Sequence, residues 1–131
     1  HDVGKLILLD QFPDRYRAVQ DRAEQQGVEA WRLEETEFGA SHAEIGGYLA
    51  GLWGFPHAVV EALVHHHRVS GLPAGDHDVV TLVHVADAFA HARGQDVDSA
   101  SVDREHLERA GATDSLDGWW ITCTTDGEED P

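Results

Sequence analysis

The sequence predicts an all-α protein. Apolar residues recur at three- and four-residue spacing through most of the chain, a pattern typical of helices that bury one face. Gly and Pro separate these stretches at positions that suit helix ends. The segment Ser41-His42-Ala43-Glu44 has the sequence of a capping box, in which Ser41 and Glu44 satisfy each other's free amides at the start of a helix.

The predicted helices follow one another with short connections. The first carries the apolar run Leu6-Ile7-Leu8-Leu9 and is predicted to be buried. Pro13 suits the first turn of the second helix, and Gly27 and Gly39 suit the ends of the second and third. In the capped helix, the strip Gly46-Gly47 with Ala50-Gly51 is nearly free of side chains, so another helix can approach it closely. The predicted ranges are 1–9, 15–26, 28–38, 42–53, 56–67, 79–92 and 103–110.

The domain organisation follows from the length and from where the pattern weakens. The 131 residues suffice for one hydrophobic core but not for two independent ones. One domain is predicted over 1–111, with the apolar helix 79–92 in its middle. An acidic tail, short and irregular or extended, is predicted over 112–131, and residues 119–122 could instead pack on the body.

Composition excludes several classes of protein. With 25 acidic and 9 basic residues the net charge is −16, which argues against a nucleic-acid binder. No apolar run approaches the roughly 20 residues of a membrane span. The single Cys123 excludes an intramolecular disulfide and a CxxC zinc site, and it fits a reducing, cytoplasmic location. The chain begins with His and has no Met, so it is interpreted as part of a longer protein.

Ionisable residues interrupt several of the apolar faces. On the fifth helix, Val59 and Leu63 continue to His66 and His67, whereas His65 falls on the solvated side. On the sixth helix, an apolar run contains Asp87, which shares a narrow arc with His84 and His91. His42 extends the apolar face of the capped helix, and His1-Asp2 adjoins the first apolar run with Lys5 one turn later. A carboxylate within an apolar run is normally paired or bound to a metal.

These positions together indicate a metal site. Four separate segments present His or Asp toward an interior, and divalent cations prefer such nitrogen and oxygen ligands. Two cations can share a carboxylate, and a water between them becomes a hydroxide that attacks a phosphorus. Lys5 would then neutralise charge on the phosphate oxygens.

Some of these residues could have a purely structural role and bind no metal. A lone His at a helix start, such as His42, is more often a structural residue, and Asp87 could simply cap or pair with a nearby helix. The acidic run with Glu34, Glu35 and Glu37 is predicted to be a solvated face, and the Trp residues are expected to pack in a core or an interface. Surface positions, or positions behind a metal ligand, are predicted for the remaining histidines apart from His84, which is left open: His57, His77, His91 and His106.

Several motifs resemble the HD superfamily of metal-dependent phosphohydrolases. His1-Asp2-Val3-Gly4-Lys5 resembles its HDxGK motif, and the segment from Ser41 to Leu49 is similar to one found in HD-GYP phosphodiesterases and in HDOD domains, the HD-related output domains of bacterial signalling proteins. Leu52-Trp53-Gly54-Phe55-Pro56, with the later His66-His67-Arg68, is similar to HDOD proteins in particular, and Val85-Ala86-Asp87 resembles the late Asp motif. The resemblance implies a partial HD-superfamily helical bundle, with the family's preceding helices outside this sequence.

The resemblance also implies which residues form the site. Metal-ligand positions of the HD-GYP enzymes correspond to His1, Asp2, His42, His66, His67 and Asp87. Lys5 corresponds to the lysine that contacts phosphate, and Lys5 with Asp2 would be catalytic. One or two ions of iron, manganese or zinc are implied. Where HD-GYP enzymes have Glu and a DGxGYP loop after the paired histidines, this chain has Arg68-Val69-Ser70-Gly71-Leu72-Pro73, which favours the HDOD branch.

Two functions are therefore weighed. The favoured one is a signal-transduction output domain, joined to a receiver or sensor domain or bound to a signalling partner, that retains the metal site. The alternative is a metal-dependent phosphohydrolase, with a phosphodiester such as cyclic di-GMP as its ligand. Whether the chain is an enzyme is left open, as is a homo-oligomer, whereas no nucleic acid and no membrane are expected as partners.

Overall fold

The computed structural model describes residues 1–73, 79–92 and 95–125, and these residues form helices without β-strands. The all-α prediction is confirmed. The helices are α1 (Val3–Gln11), α2 (Pro13–Gln26), α3 (Ala30–Phe38), α4 (His42–Leu52), α5 (His57–His65), α6 (Val79–His91), α7 (Arg104–Arg109) and α8 (Leu116–Thr125), with short 3-10 turns at Val97–Ser99 and Thr113–Ser115. Among the described helices, none combines the length and the apolar character that a membrane crossing requires. His77 and residues 126–131 lie outside the described residues.

The chain divides into two compact units, His1–His67 and Arg68–Pro131. The first unit holds α1 to α5, and the second holds α6 to α8. Compact units of one chain can belong to a single domain, so the predicted boundary between residues 111 and 112 stays a prediction.

Local signals mark the start of α2, the ends of α2 and α3 and the start of α4 as the sequence predicted, whereas α1 (predicted over 1–9) and α5 (predicted over 56–67) have different bounds. Pro13 occupies the first turn of α2, and Gly27 and Gly39 follow α2 and α3 with positive φ angles of 62° and 81°. The capping box is present, because the Ser41 side chain accepts a hydrogen bond from the Glu44 amide while the Glu44 carboxylate accepts one from the Ser41 amide at 2.9 Å.

Glycines let α1 and α5 approach α4 closely. A Cβ atom on Gly4 would stand 1.9 Å from the carbonyl oxygen of His42, so α1 lies directly against the start of α4. A Cβ atom on Gly47 would stand 2.2 Å from a methyl group of Val64 on α5. Two glycines of the predicted small-residue strip therefore make close helix contacts: Gly47 contacts α5, and Gly46 faces Val3 of α1. These contacts place α1 against the start of α4 and place α5 alongside α4.

The first helix is only partly buried, which corrects the prediction for its apolar run. Leu8 is 1% exposed, whereas Leu6 and Leu9 are 67% and 41% exposed. Gly4 and Leu8 lie four residues apart and share the face that packs on the unit, while Leu6 and Leu9 lie on the other face. Only part of the apolar run therefore lies on the buried face of α1.

The second unit has its own hydrophobic core around α6. Phe89 of α6 meets the ring of Trp120 edge-on, with ring centroids 5.0 Å apart. The buried members of this core are Val85, Ala88, Phe89, Ala92, Ala100, Leu107, Ala110, Ala112 and Leu116.

The C-terminal region differs from the irregular or extended tail that was predicted. Leu116–Thr125 form α8, and Leu116 is 4% exposed. Leu116, Trp119 and Trp120 lie three and four residues apart, so one helical face carries all three against the core. The alternative, packing on the body, is the one the structure adopts for this segment.

A buried polar network joins α6 to α7 within the second unit. His84 Nε2 accepts a hydrogen bond from the Asp103 amide at 2.9 Å, and His106 Nε2 lies 2.8 Å from the Thr81 hydroxyl. The Asp103 carboxylate accepts hydrogen bonds from the His106 amide at 2.8 Å and from the Ser70 hydroxyl. His106 is 0% exposed, so a surface position for it was wrong: its ring is buried, and Nε2 meets the Thr81 hydroxyl of α6.

Asp103 is expected to stabilise the second unit in a pH-dependent way. The hydrogen bonds from Ser70 and from the His106 amide hold the pKa of Asp103 below its usual value, because they favour the carboxylate. Its stabilisation is therefore present above the unfolded pKa of about 3.9 and is lost as the pH falls through the folded pKa. Asp103 is the N-cap residue of α7, so Asp103→Ala should lower the unfolding free energy at pH 7 by about 1 kcal/mol, the typical value for loss of such a cap.

Urea unfolding at pH 7 and at pH 3 checks this expectation. The difference between Asp103→Ala and wild type should shrink at pH 3, while the exposed Asp114→Asn should leave stability nearly unchanged at both pH values. A difference that stays constant or grows toward pH 3 would contradict the assignment.

Candidate metal centre

Helix ends of the first unit bring the candidate ligands together. Asp2 directly precedes α1, His42 is the first residue of α4, and His66 and His67 directly follow α5. The crossing of α1 over α4 at Gly4 places Asp2 beside His42. The α4–α5 hairpin returns the two adjacent histidines to the same place, so residues far apart in sequence meet at one point.

The ring nitrogens and the carboxylate converge closely. The Nε2 atoms of His42 and His67 are 3.0 Å apart. Asp2 Oδ1 lies 3.2 Å from His42 Nε2, 3.8 Å from His66 Nε2 and 3.6 Å from His1 Nε2. His42 is 1% exposed and His66 is 0% exposed, so the centre of the cluster is excluded from solvent.

Two sets of three ligand atoms satisfy the distances of a metal site. One set is His42, His66 and His67, and the other is His1, Asp2 and His66. Within each set the ligand atoms all lie within 4.8 Å of one another, and His66 belongs to both. Five of the six residues predicted as ligands are thus brought together.

The cluster fits a divalent cation on chemical grounds. Asp2 Oδ1 is buried among three imidazoles, yet among the described residues it accepts no hydrogen bond. A buried carboxylate oxygen without a hydrogen bond is costly, and a cation beside it would remove that cost. Two nitrogens bound to one tetrahedral ion at about 2.1 Å stand about 3.4 Å apart, so the His42–His67 pair, now 3.0 Å apart, needs only a small opening. The donor set suits zinc, iron or manganese.

Burial and neighbouring charges act in opposite directions on the pKa values of Asp2 and His42. Burial alone would raise the pKa of Asp2, but the contact with His42 and the contact and positive charge of Lys5 outweigh burial and hold that pKa well below its usual value. Burial alone would lower the pKa of His42, but Asp2 and Glu34 outweigh it and raise that pKa. Burial, and then the negative charges of Glu34 and Asp2, raise the pKa of Tyr16.

Glu34 is the residue that sequence reasoning missed. It was predicted to lie on a solvated face, but it is 0% exposed, so that prediction was wrong. Its Oε2 accepts hydrogen bonds from the His42 backbone amide at 2.7 Å and lies 2.6 Å from His42 Nδ1. The spacing contains a signal that could have found it, because Glu34 follows the buried Trp31 by three residues and precedes Phe38 by four on the same helical face.

The paired histidines lie in the turn after α5, which ends at His65, two residues earlier than predicted. His66 and His67 belong to the cluster, whereas His65 belongs to neither ligand set among the described residues. The ring of Trp31 stacks on that of His67 at 5.9 Å with an interplanar angle of 14°, so a buried indole supports this ligand. Trp31 thereby packs in the interior, as the sequence predicted.

Two other predicted site residues have different surroundings. Lys5 donates a hydrogen bond to Asp2 Oδ2 at 2.7 Å, so its ammonium lies next to the cluster, and its predicted contact with phosphate stays a prediction. Asp87 belongs to the second unit, where it is 8% exposed and its carboxylate lies 3.3 Å from His91 Nδ1. Its predicted role as a ligand also stays a prediction.

Comparisons with known proteins identify the family. Searches of curated proteins and of solved structures gave no match. The family model of the HDOD domain matches residues 1–69, just over half of the chain, and this stretch contains the first unit with His1, Asp2, Lys5, His42 and the paired histidines. The chain therefore belongs to the HDOD domain family, a signalling-related branch of the HD superfamily.

Proposed function

We propose that this chain is a regulatory output domain of a bacterial signalling protein and that it binds a divalent metal ion in its His/Asp cluster. The observation that best supports metal binding is the environment of Asp2 Oδ1. This atom is buried and lacks a hydrogen bond among the described residues, and three imidazole nitrogens lie within 4 Å of it. Family membership supports the signalling role.

The residues that would hold the metal come from three helix ends. His42, His66 and His67 form one possible ligand set, and His1, Asp2 and His66 form the other. Because His66 Nδ1 faces the Leu63 carbonyl, only Nε2 can bind a metal, so these two sets are alternatives for one ion. A bound divalent ion supplies Lewis-acid chemistry and, in addition, binding free energy that favours the folded form. The first set joins the start of α4 to the residues after α5, and the second joins the residues before α1 to those after α5, so metal binding would fix α5 relative to one of these helices within the first unit.

The surface of the first unit supports a role through protein contacts. Large apolar side chains at the end of α4 and in the turn before α5 are exposed: Tyr48 by 72%, Leu52 by 65%, Trp53 by 62% and Phe55 by 49%. Exposed apolar groups that are adjacent in a monomer commonly mark an interaction site. A receiver or sensor domain upstream, or a separate signalling protein, is the partner we propose for them.

A second function is favoured by the position of Lys5. Its ammonium lies next to the cluster through Asp2, where a cation would stabilise negative charge on a phosphodiester. A metal-dependent phosphodiesterase acting on a cyclic dinucleotide is therefore the alternative. Against it stands the segment after His67, which lacks the DGxGYP loop of the related enzymes.

Turnover assays distinguish these functions. The full chain, loaded in turn with zinc, manganese and iron(II), is incubated with cyclic di-GMP and with bis(4-nitrophenyl) phosphate. We expect no hydrolysis above the rate of free metal, whereas enzymes typically accelerate their reactions by at least about 10⁶-fold. Hydrolysis that disappears in Asp2→Ala, but persists in the exposed-surface variant Asp21→Ala, would overturn the regulatory role and establish the alternative.

A further inference from the structure

A fully buried carboxylate lies on the side of His42 that faces away from the other ligands. Glu34 is 0% exposed, and its Oε2 lies 2.6 Å from His42 Nδ1 and 2.7 Å from the His42 backbone nitrogen. Its second oxygen, Oε1, is buried and has no hydrogen bond among the described residues. Among the described residues, both of these close contacts of the Glu34 carboxylate are therefore with His42.

We propose that Glu34 is a positioning residue of the metal centre, which binds the Nδ1 proton of His42 and thereby directs Nε2 to the metal. This inference rests on the proposed metal-binding function. It assigns to α3, which supplies no ligand, a role in the affinity of the site.

The two hydrogen bonds restrict both the main chain and the ring of His42. The first residue of a helix has an amide without a partner inside the helix, and Glu34 satisfies it. The second hydrogen bond fixes the orientation of the imidazole, since Nδ1 must face Oε2. The remaining nitrogen, Nε2, then faces Asp2 Oδ1 at 3.2 Å and His67 Nε2 at 3.0 Å, which is the interior of the cluster.

The charge of Glu34 also favours metal binding. An imidazole that donates its Nδ1 proton to a carboxylate is a more basic ligand at Nε2, and loss of such a partner typically weakens metal affinity by about 10- to 100-fold. A neutral amide oxygen would preserve the two hydrogen bonds but not the charge. Glu34→Gln therefore separates the electrostatic effect from the geometric one, and Glu34→Leu removes both.

Zinc titrations measure the effect. Zinc dissociation constants of the full chain are determined by competition with a chromogenic chelator. We expect Glu34→Gln to bind zinc about 10-fold more weakly than wild type and Glu34→Leu more weakly still. The matched control, Glu24→Gln, removes the same charge from an exposed position on α2 and should bind like wild type.

Nitrogen NMR of the zinc-loaded wild type tests the geometry without any variant. Long-range ¹⁵N–¹H spectra should show His42 with zinc on Nε2 and a strongly deshielded proton on Nδ1. Zinc on Nδ1 of His42, or equal dissociation constants for wild type and a folded Glu34→Gln, would overturn the role of Glu34. Failure of the wild type itself to bind zinc would instead overturn the proposed function, so the two failures are distinguishable.

Discussion

His66→Ala is expected to weaken zinc binding by more than about 100-fold, the largest effect of any single substitution in the cluster. His66 is the residue common to both ligand sets, so its removal leaves each set with two ligands. Loss of a residue that only hydrogen-bonds to a metal ligand typically weakens metal affinity by about 10- to 100-fold. Loss of a ligand that both sets share should weaken zinc affinity by more than that. Its ring is 0% exposed, so water replaces the missing nitrogen poorly.

His65→Ala is the matched control, because it removes the same side chain one residue earlier from a position outside both sets. Zinc dissociation constants should separate the two variants clearly, with His65→Ala close to wild type. A larger loss in His65→Ala than in His66→Ala would show that the orientation of the residues after α5 is wrong. Circular dichroism of both variants verifies that each is folded.

Gly4→Ala is expected to lower the unfolding free energy by about 3 kcal/mol, the upper part of the range for overpacking. The new Cβ atom would stand 1.9 Å from the carbonyl oxygen of His42, and a backbone atom cannot move aside as a flexible side chain can. Relief of the clash requires α1 to move away from α4. That movement also separates Asp2 from His42, so zinc affinity should fall together with stability.

Gly51→Ala provides the comparison for this effect. Gly51 also lies in a helix, but a Cβ atom there would meet no described atom within 4 Å beyond its own neighbourhood. Ala favours the helix by about 0.5–1 kcal/mol relative to Gly, so this variant should be slightly more stable than wild type. Thermal and urea unfolding measure both variants. Equal stability of Gly4→Ala and wild type would show that α1 does not cross α4 as described.

The helices of the first unit could be predicted because their ends depend on local sequence. A Pro in the first turn, a Gly with positive φ after the last turn and a capping box act over a few residues, and the structure has each of them at Pro13, Gly27 and Ser41. The depth of burial was harder to predict. Leu6 and Leu9 are apolar but exposed, because the number of neighbours around α1 is set by tertiary packing.

The cluster could be predicted in part for the same reason. Helical spacing separated His66 and His67 from His65, and it extended the apolar face of α4 to His42. Glu34 was missed because a run of acidic residues usually faces solvent, and the burial of one member depends on His42, eight residues later. His106 was misplaced in a similar way, since its partner Thr81 lies 25 residues earlier.

The central claim, a metal centre of imidazoles and one carboxylate, is tested most directly by X-ray absorption spectroscopy at the zinc edge. The full chain loaded with one equivalent of zinc should give a first shell of nitrogen and oxygen near 2.0–2.1 Å, about the usual distance for these ligands. Scattering from the outer atoms of two or three imidazole rings should be present in wild type and reduced in His66→Ala. A spectrum with oxygen ligands alone and no imidazole scattering, unchanged in His66→Ala, would contradict the account.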